Sequence, residues 1–214
     1  ALAALTPAAF LSTFALYAAI HAATACKWRL FVRASDARLA YRDAFRAYAA
    51  GLFSNLFLPS MIGGDVVRAG LAMRATRKKE AVVLGSLVDR LSDVVGLAAL
   101  ALAGLVALPR ALADAGGSAE LGRTILGYLA LAAVFGVAAL LVALKLRPPR
   151  TWPTKLRFTA YRAALGARRL KRRPGALAIG VASAVALQFA LLWTNARLGD
   201  SMGFEASFAV WLVC

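Results

Sequence analysis

The sequence predicts an all-α membrane protein: a polytopic transmembrane helix bundle with a re-entrant helical hairpin at about residues 43–75. Three observations carry this. Hydrophobic residues make up 61% of the chain and its mean hydropathy is +0.70, against roughly 45–50% apolar residues in soluble domains. The apolar residues fall in uncharged blocks, 1–26, 47–64, 94–109, 124–144 and 174–196, with a last block opening at Ala206. Basic residues collect between those blocks, as the positive-inside rule expects of cytoplasmic loops.

A spanning helix needs about 20 apolar residues. Spans are therefore expected at about 4–26, 82–108, 124–145 and 175–196, with the start of another at 206–214, while 43–64 is short. The chain lacks an initial Met, opens inside an apolar block and stops inside another, so it reads as a fragment of a larger bundle. No basic region precedes the first block, which argues against a signal peptide. Cys26 and Cys214 each lie next to or inside an apolar block, and no disulfide or metal site is expected from them.

Lys145 to Arg173 contains many Lys and Arg residues and no acid, which places it in the cytoplasm. Span 124–145 then runs inward, and the weakly charged loop from Pro109 to Arg123 lies outside. The loop with Arg74, Arg77, Lys78 and Lys79 falls inside. A further cluster, Lys27, Arg29, Arg33, Arg38, Arg42 and Arg46, precedes block 47–64, so both flanks of that block are cytoplasmic. A full span cannot have both ends on one side, and a re-entrant hairpin resolves the conflict. In the rival topology the block crosses fully and leaves one basic cluster outside.

The stretch Asn55 to Arg68, NLFLPSMIGGDVVR, supplies the turn. Pro59 lacks a helical N–H and disfavours helical geometry at Leu58, so a helix of about 43–58 should end there. Gly63 and Gly64 permit unusual backbone conformations, and Asp65 suits the N-cap of a helix from Val66 toward Arg74. Irregular backbone at membrane depth must be covered by protein or line a wet cavity. The apex is therefore expected to line a cavity.

From Glu80 to Leu108 the chain reads as one long helix whose last twenty residues suffice to span. Asp89, Arg90 and Asp93 then fall in the cytoplasmic half of the membrane or at its edge, where ionisable groups are costly unless paired or wet. Asp89 and Asp93 share a face, and Arg90 can reach Asp93 at i, i+3. Two readings stand: internal ion pairs, Asp65 with Arg68 and Arg90 with Asp89 or Asp93, that fix helix packing; or a polar site in which Asn55, Arg68 and Arg90 meet an anionic headgroup. The cavity required by the hairpin favours the second. Broken helices at membrane depth serve substrate binding in transporters, and the candidate binding residues are Asn55, Pro59, Gly63, Gly64, Asp65, Arg68, Asp89 and Arg90.

The pattern Asn55, Pro59, Gly64-Asp65 and Arg68, followed by Asp89-Arg90, resembles the lysylphosphatidylglycerol synthase transmembrane family, also called flippase-like. Lys27-Trp28-Arg29 after the first span is similar to a basic-Trp step of that family. The resemblance covers nearly the whole chain. It implies a multi-pass bacterial or archaeal membrane domain, in a bacterium an inner-membrane one, related to the lipid-translocating part of a lipid-modifying enzyme. It does not imply that this chain makes the lipid, since no aminoacyl-transferase domain is visible in it.

The basic segment 149–173 can form an amphipathic helix on an anionic inner leaflet, or simply anchor topology. Formal net charge is +16, but the basic residues flank membrane spans, so nucleic acid is not an expected partner. His21, Gln188, Thr194 and Asn195 read as helix-interface groups. No metal spacing, nucleophile triad or phosphate-cradling loop is present, and no cofactor is expected. The expected partners are membrane lipids of anionic character, with a homo-oligomer or partner enzyme as further options. A flippase-like transporter of a lipid or lipid-linked headgroup leads; a membrane subunit of a lipid-modifying enzyme and a non-catalytic membrane scaffold are the alternatives.

Overall fold

The structure is a computed structural model that describes residues 7–57, 61–115, 127, 168 and 172–203. Five helices and no strands occur among the described residues: α1 Pro7–Ala34, α2 Tyr41–Ser54, α3 Met61–Ala75, α4 Lys79–Ala115 and α5 Pro174–Ser201. The expected spans 124–145 and 206–214 and the amphipathic segment 149–173 lie outside the described residues, apart from isolated positions. Among the described residues, α5 is long and apolar enough to cross a membrane.

Several helix boundaries differ from the sequence expectation for local reasons. α1 continues through the basic step Lys27–Arg33 to Ala34, because Trp28, Phe31 and Val32 on that step are fully buried and hold it against neighbours. α2 stops at Ser54 rather than at Leu58. There the Ser54 hydroxyl donates to the Ala50 carbonyl at 2.7 Å, and the N–H groups of Leu56 and Phe57 reach Phe53 and Ser54 in tightened i→i+3 bonds, a common way to close a helix end. α4 runs past Leu108, through Pro109, to Ala115.

The largest revision concerns Gly63, Gly64 and Asp65. α3 begins at Met61, so Asp65 sits inside the helix and does not cap it. Gly203 is the only glycine with positive φ among the described residues, so Gly63 and Gly64 do not exploit glycine's conformational freedom. Gly64 serves close approach instead: a Cβ built on it would lie 2.5 Å from the Gly51 carbonyl oxygen and overlap the Asn55 side chain. At Gly203, φ is +85°, and its N–H bonds the Asp200 carbonyl at 3.1 Å, a left-handed glycine ending α5.

The described residues fall into two compact units. The first comprises 7–23, 93–115, 127 and 182–203; the second comprises 24–57, 61–92, 168 and 172–181. In the first, the Tyr17 hydroxyl donates to Asn195 Oδ1, the Tyr17 and His21 rings lie 6.2 Å apart, and Gly96 packs on the backbone of Ala184 and Val185. Side-chain hydrogen bonds of this kind join neighbouring helices.

The second unit holds a core of Trp28, Val32, Ala37, Leu39, Ala44, Ala47, Ala72, Ala81 and Val82. Its many alanines let helix axes approach closely. At Gly85 the approach is to backbone, since an added Cβ would lie 2.6 Å from Val32 Cα. α2 and α3 form an antiparallel hairpin, since Tyr48 lies by Arg68 and Gly51 and Asn55 by Gly64. The hairpin leaves Phe53, Leu56 and Phe57 mostly exposed at its turn. At the opposite end Asp36, in the left-handed region at φ 83°, pairs with Lys78 of the α3–α4 turn.

Candidate functional site

The second unit gathers five charged side chains from α1, α3 and α4. Asp89 is fully buried. Its Oδ1 lies 3.1 Å from Lys27 Nζ and its Oδ2 3.3 Å from Arg68 Nη1. Arg68 is itself 3% exposed, with its guanidinium 4.6 Å from the centroid of the Trp28 ring and 5.6 Å from that of Tyr48. A planar, weakly hydrated guanidinium stacks on aromatic faces in a way an ammonium cannot. The Trp28 ring is fixed in turn by its indole N–H, which donates to Ser86 Oγ at 3.0 Å.

Asp65 lies nearer the surface. It pairs with Arg68 one turn along α3, at 3.4 Å, and accepts a two-point contact from Arg90, whose Nε donates to Oδ2 at 2.6 Å while Nη2 donates to Oδ1. Side chains of Asp65 and Arg90 are 30% and 52% exposed. The cluster is thus graded: Lys27, Asp89 and Arg68 inside, Asp65 and Arg90 at the rim. Apart from Asp65–Arg68 within α3, its pairs cross between helices, joining α1 to α4 through Asp89 and α3 to α4 twice.

Of the residues expected from sequence, Asp65, Arg68, Asp89 and Arg90 meet in this cluster. Asn55 and Gly64 meet beside it in a different role: Asn55 Oδ1 accepts the Gly64 N–H at 2.9 Å, which ties the end of α2 to the opening turn of α3. Asn55→Ala should therefore loosen the hairpin by about 1 kcal/mol, the usual worth of such a bond, seen as a lower melting temperature in detergent. Gly63 is a half-buried residue within α3. Pro59, and with it the apex cavity, lies outside the described residues.

Sequence reasoning missed Lys27, Trp28, Tyr48 and Ser86 as parts of the cluster. A signal for Lys27 existed: the apolar run Leu30-Phe31-Val32 follows it, so a helix continuing through Lys27 would be gripped on both sides of the charge. Nothing in the spacing singles out Tyr48 or Ser86, because their roles depend on how α2 and α4 meet α1 and α3.

The described residues are helical, with one helix long and apolar enough to cross a membrane and large apolar side chains exposed, the features of a helical membrane protein. Its whole length, residues 1–214, matches the family described as the lysylphosphatidylglycerol synthase TM region, and the chain belongs to that family. No curated protein and no solved structure is significantly similar to it.

Proposed function

We propose that the protein is a multi-pass protein of a bacterial inner membrane that binds and moves a lipid or lipid-linked headgroup through a polar region built on the α2–α3 hairpin. The observation that carries this reading is the cluster's composition: three cations, Lys27, Arg68 and Arg90, against two carboxylates, Asp65 and Asp89. Burying Lys27, Asp89 and Arg68 is costly, and buried ion pairs are often no better for stability than apolar packing. A cluster with an excess positive charge suits an anionic partner better than it suits a purely structural brace.

The hairpin dimensions support re-entry from the cytoplasmic side. α2 has 14 residues and α3 has 15, about 21–23 Å each at 1.5 Å per residue, short of a hydrocarbon core of about 30 Å. Exposed Phe53, Leu56 and Phe57 at the turn fit a tip that reaches apolar surroundings.

The test is translocation of a labelled short-chain phosphatidylglycerol by the full-length protein reconstituted in vesicles. Asp65→Asn and Arg90→Ala should each slow it about tenfold or more, the factor for about 1.4 kcal/mol on the barrier. Wild-type rates in both would remove the transport reading. The family description also names a synthase, which favours a membrane subunit of a lipid-modifying enzyme as second reading. Turnover of labelled lipid in detergent, where translocation has no meaning, would select it.

A further inference from the structure

The two carboxylates of the cluster differ in what surrounds them. Asp89, with a side chain 1% exposed, is closed in by Lys27 and Arg68. Asp65 is 30% exposed and faces both arginines, making the two-point contact with Arg90 and an ion pair with Arg68. That ion pair lacks hydrogen-bond geometry: Nε and Nη2 of Arg68 are buried and have no hydrogen-bond partner among the described residues. Buried guanidinium N–H groups left in this condition are costly. They are donors awaiting a better acceptor than Asp65 offers.

A phosphate group presents the same feature that Arg90 grips on Asp65, two anionic oxygens on one edge, and adds oxygens for further donors. With the Asp65 carboxylate swung aside, Arg90 and Arg68 would both lose the acceptor they share. We propose that Asp65 is a built-in stand-in for the ligand: a phosphate-bearing anion binds by displacing the Asp65 carboxylate from Arg90 and Arg68, and the returning carboxylate expels it. This rests on the headgroup reading above and adds the chemical class of the group bound and the means of its release. Lys27 stays with Asp89 throughout, holding the inner end fixed while the rim exchanges partners.

Because an internal competitor weakens ligand binding, the inference has an unusual sign. Neutralising Asp65 should tighten binding, whereas neutralising an ordinary ligand contact weakens it. Full-length protein in a neutral detergent is titrated calorimetrically with dihexanoyl phosphatidylglycerol and, separately, with inorganic phosphate. Asp65→Asn is expected to lower Kd for the lipid about fivefold, and the double variant Asp65→Asn/Arg90→Gln should lose that gain. Asp65→Ser, smaller and also neutral, gives the same comparison should the amide disturb packing.

Tightening for the lipid alone identifies a lipid phosphodiester as the ligand. Tightening for both titrants identifies the phosphate group itself. Unchanged or weaker binding in both neutral variants overturns the proposal. The vesicle assay separates this from the transport reading. Slow translocation with unchanged or weaker binding leaves transport standing and removes the stand-in, whereas tighter binding with wild-type translocation by both vesicle-assay variants does the reverse.

Discussion

Asp89→Ala is expected to destabilise the folded protein by about 3–5 kcal/mol, the range for removing one partner of a buried ion pair. The loss leaves Lys27 and Arg68 close together and buried, with 1% and 4% side-chain exposure, and without the carboxylate between them. Thermal unfolding in detergent, followed by tryptophan fluorescence, reads the effect. Removing Lys27 together with Asp89 in Lys27→Met/Asp89→Leu should recover part of the loss, because apolar side chains of similar size tolerate burial without a partner. Asp65→Asn should cost far less, since its contact with Arg90 is partly exposed and such pairs contribute little. Equal losses at 65 and 89 would contradict the graded burial of the cluster.

Glycine substitutions are expected to give the second large effect, and to depend sharply on position. Gly85→Ala places a methyl group 2.6 Å from Val32 Cα and 2.7 Å from Val32 N, where only backbone could yield. Gly64→Ala meets the Gly51 carbonyl oxygen at 2.5 Å, as well as the Asn55 side chain. Overpacking of this kind typically costs about 1–3 kcal/mol and sometimes more. Gly70, on the same helix as Gly64, has nothing within 4 Å of an added Cβ, so Gly70→Ala should be neutral or gain up to about 1 kcal/mol from helix propensity. Melting temperatures of the three variants decide the matter. If Gly64→Ala melts with Gly70→Ala, α2 and α3 do not pack this closely.

The contrast between Gly64 and Asp65 shows where sequence reasoning succeeds and where it stops. Hydropathy blocks revealed an all-helical membrane chain because burial and lipid exposure impose long-range composition. The unusual residues between Asn55 and Arg68 correctly marked a hairpin with charged neighbours. Local rules then misassigned their work: a glycine pair before an aspartate has the pattern of a turn and an N-cap, yet Gly64 lies inside a helix and makes room for α2. Pairing was equally beyond reach. Arg90 has Asp89 and Asp93 nearby on its own helix, but its contact with Asp65 depends on the rotation of α3 against α4. Lys27 escaped for a related reason, since a lysine at the edge of an apolar block ordinarily marks the membrane surface.

The graded burial of the five charged groups also places them in two regimes of screening. At physiological ionic strength the Debye length is about 8 Å, and mobile ions reach the solvent beside Arg90 and Asp65 but not the enclosed space between Lys27, Asp89 and Arg68. Salt therefore softens the rim while the inner trio keeps its full field. A soluble counter-ion can loosen the outer pair, but the net positive charge of Lys27, Asp89 and Arg68 answers only to a charge that enters the cluster itself.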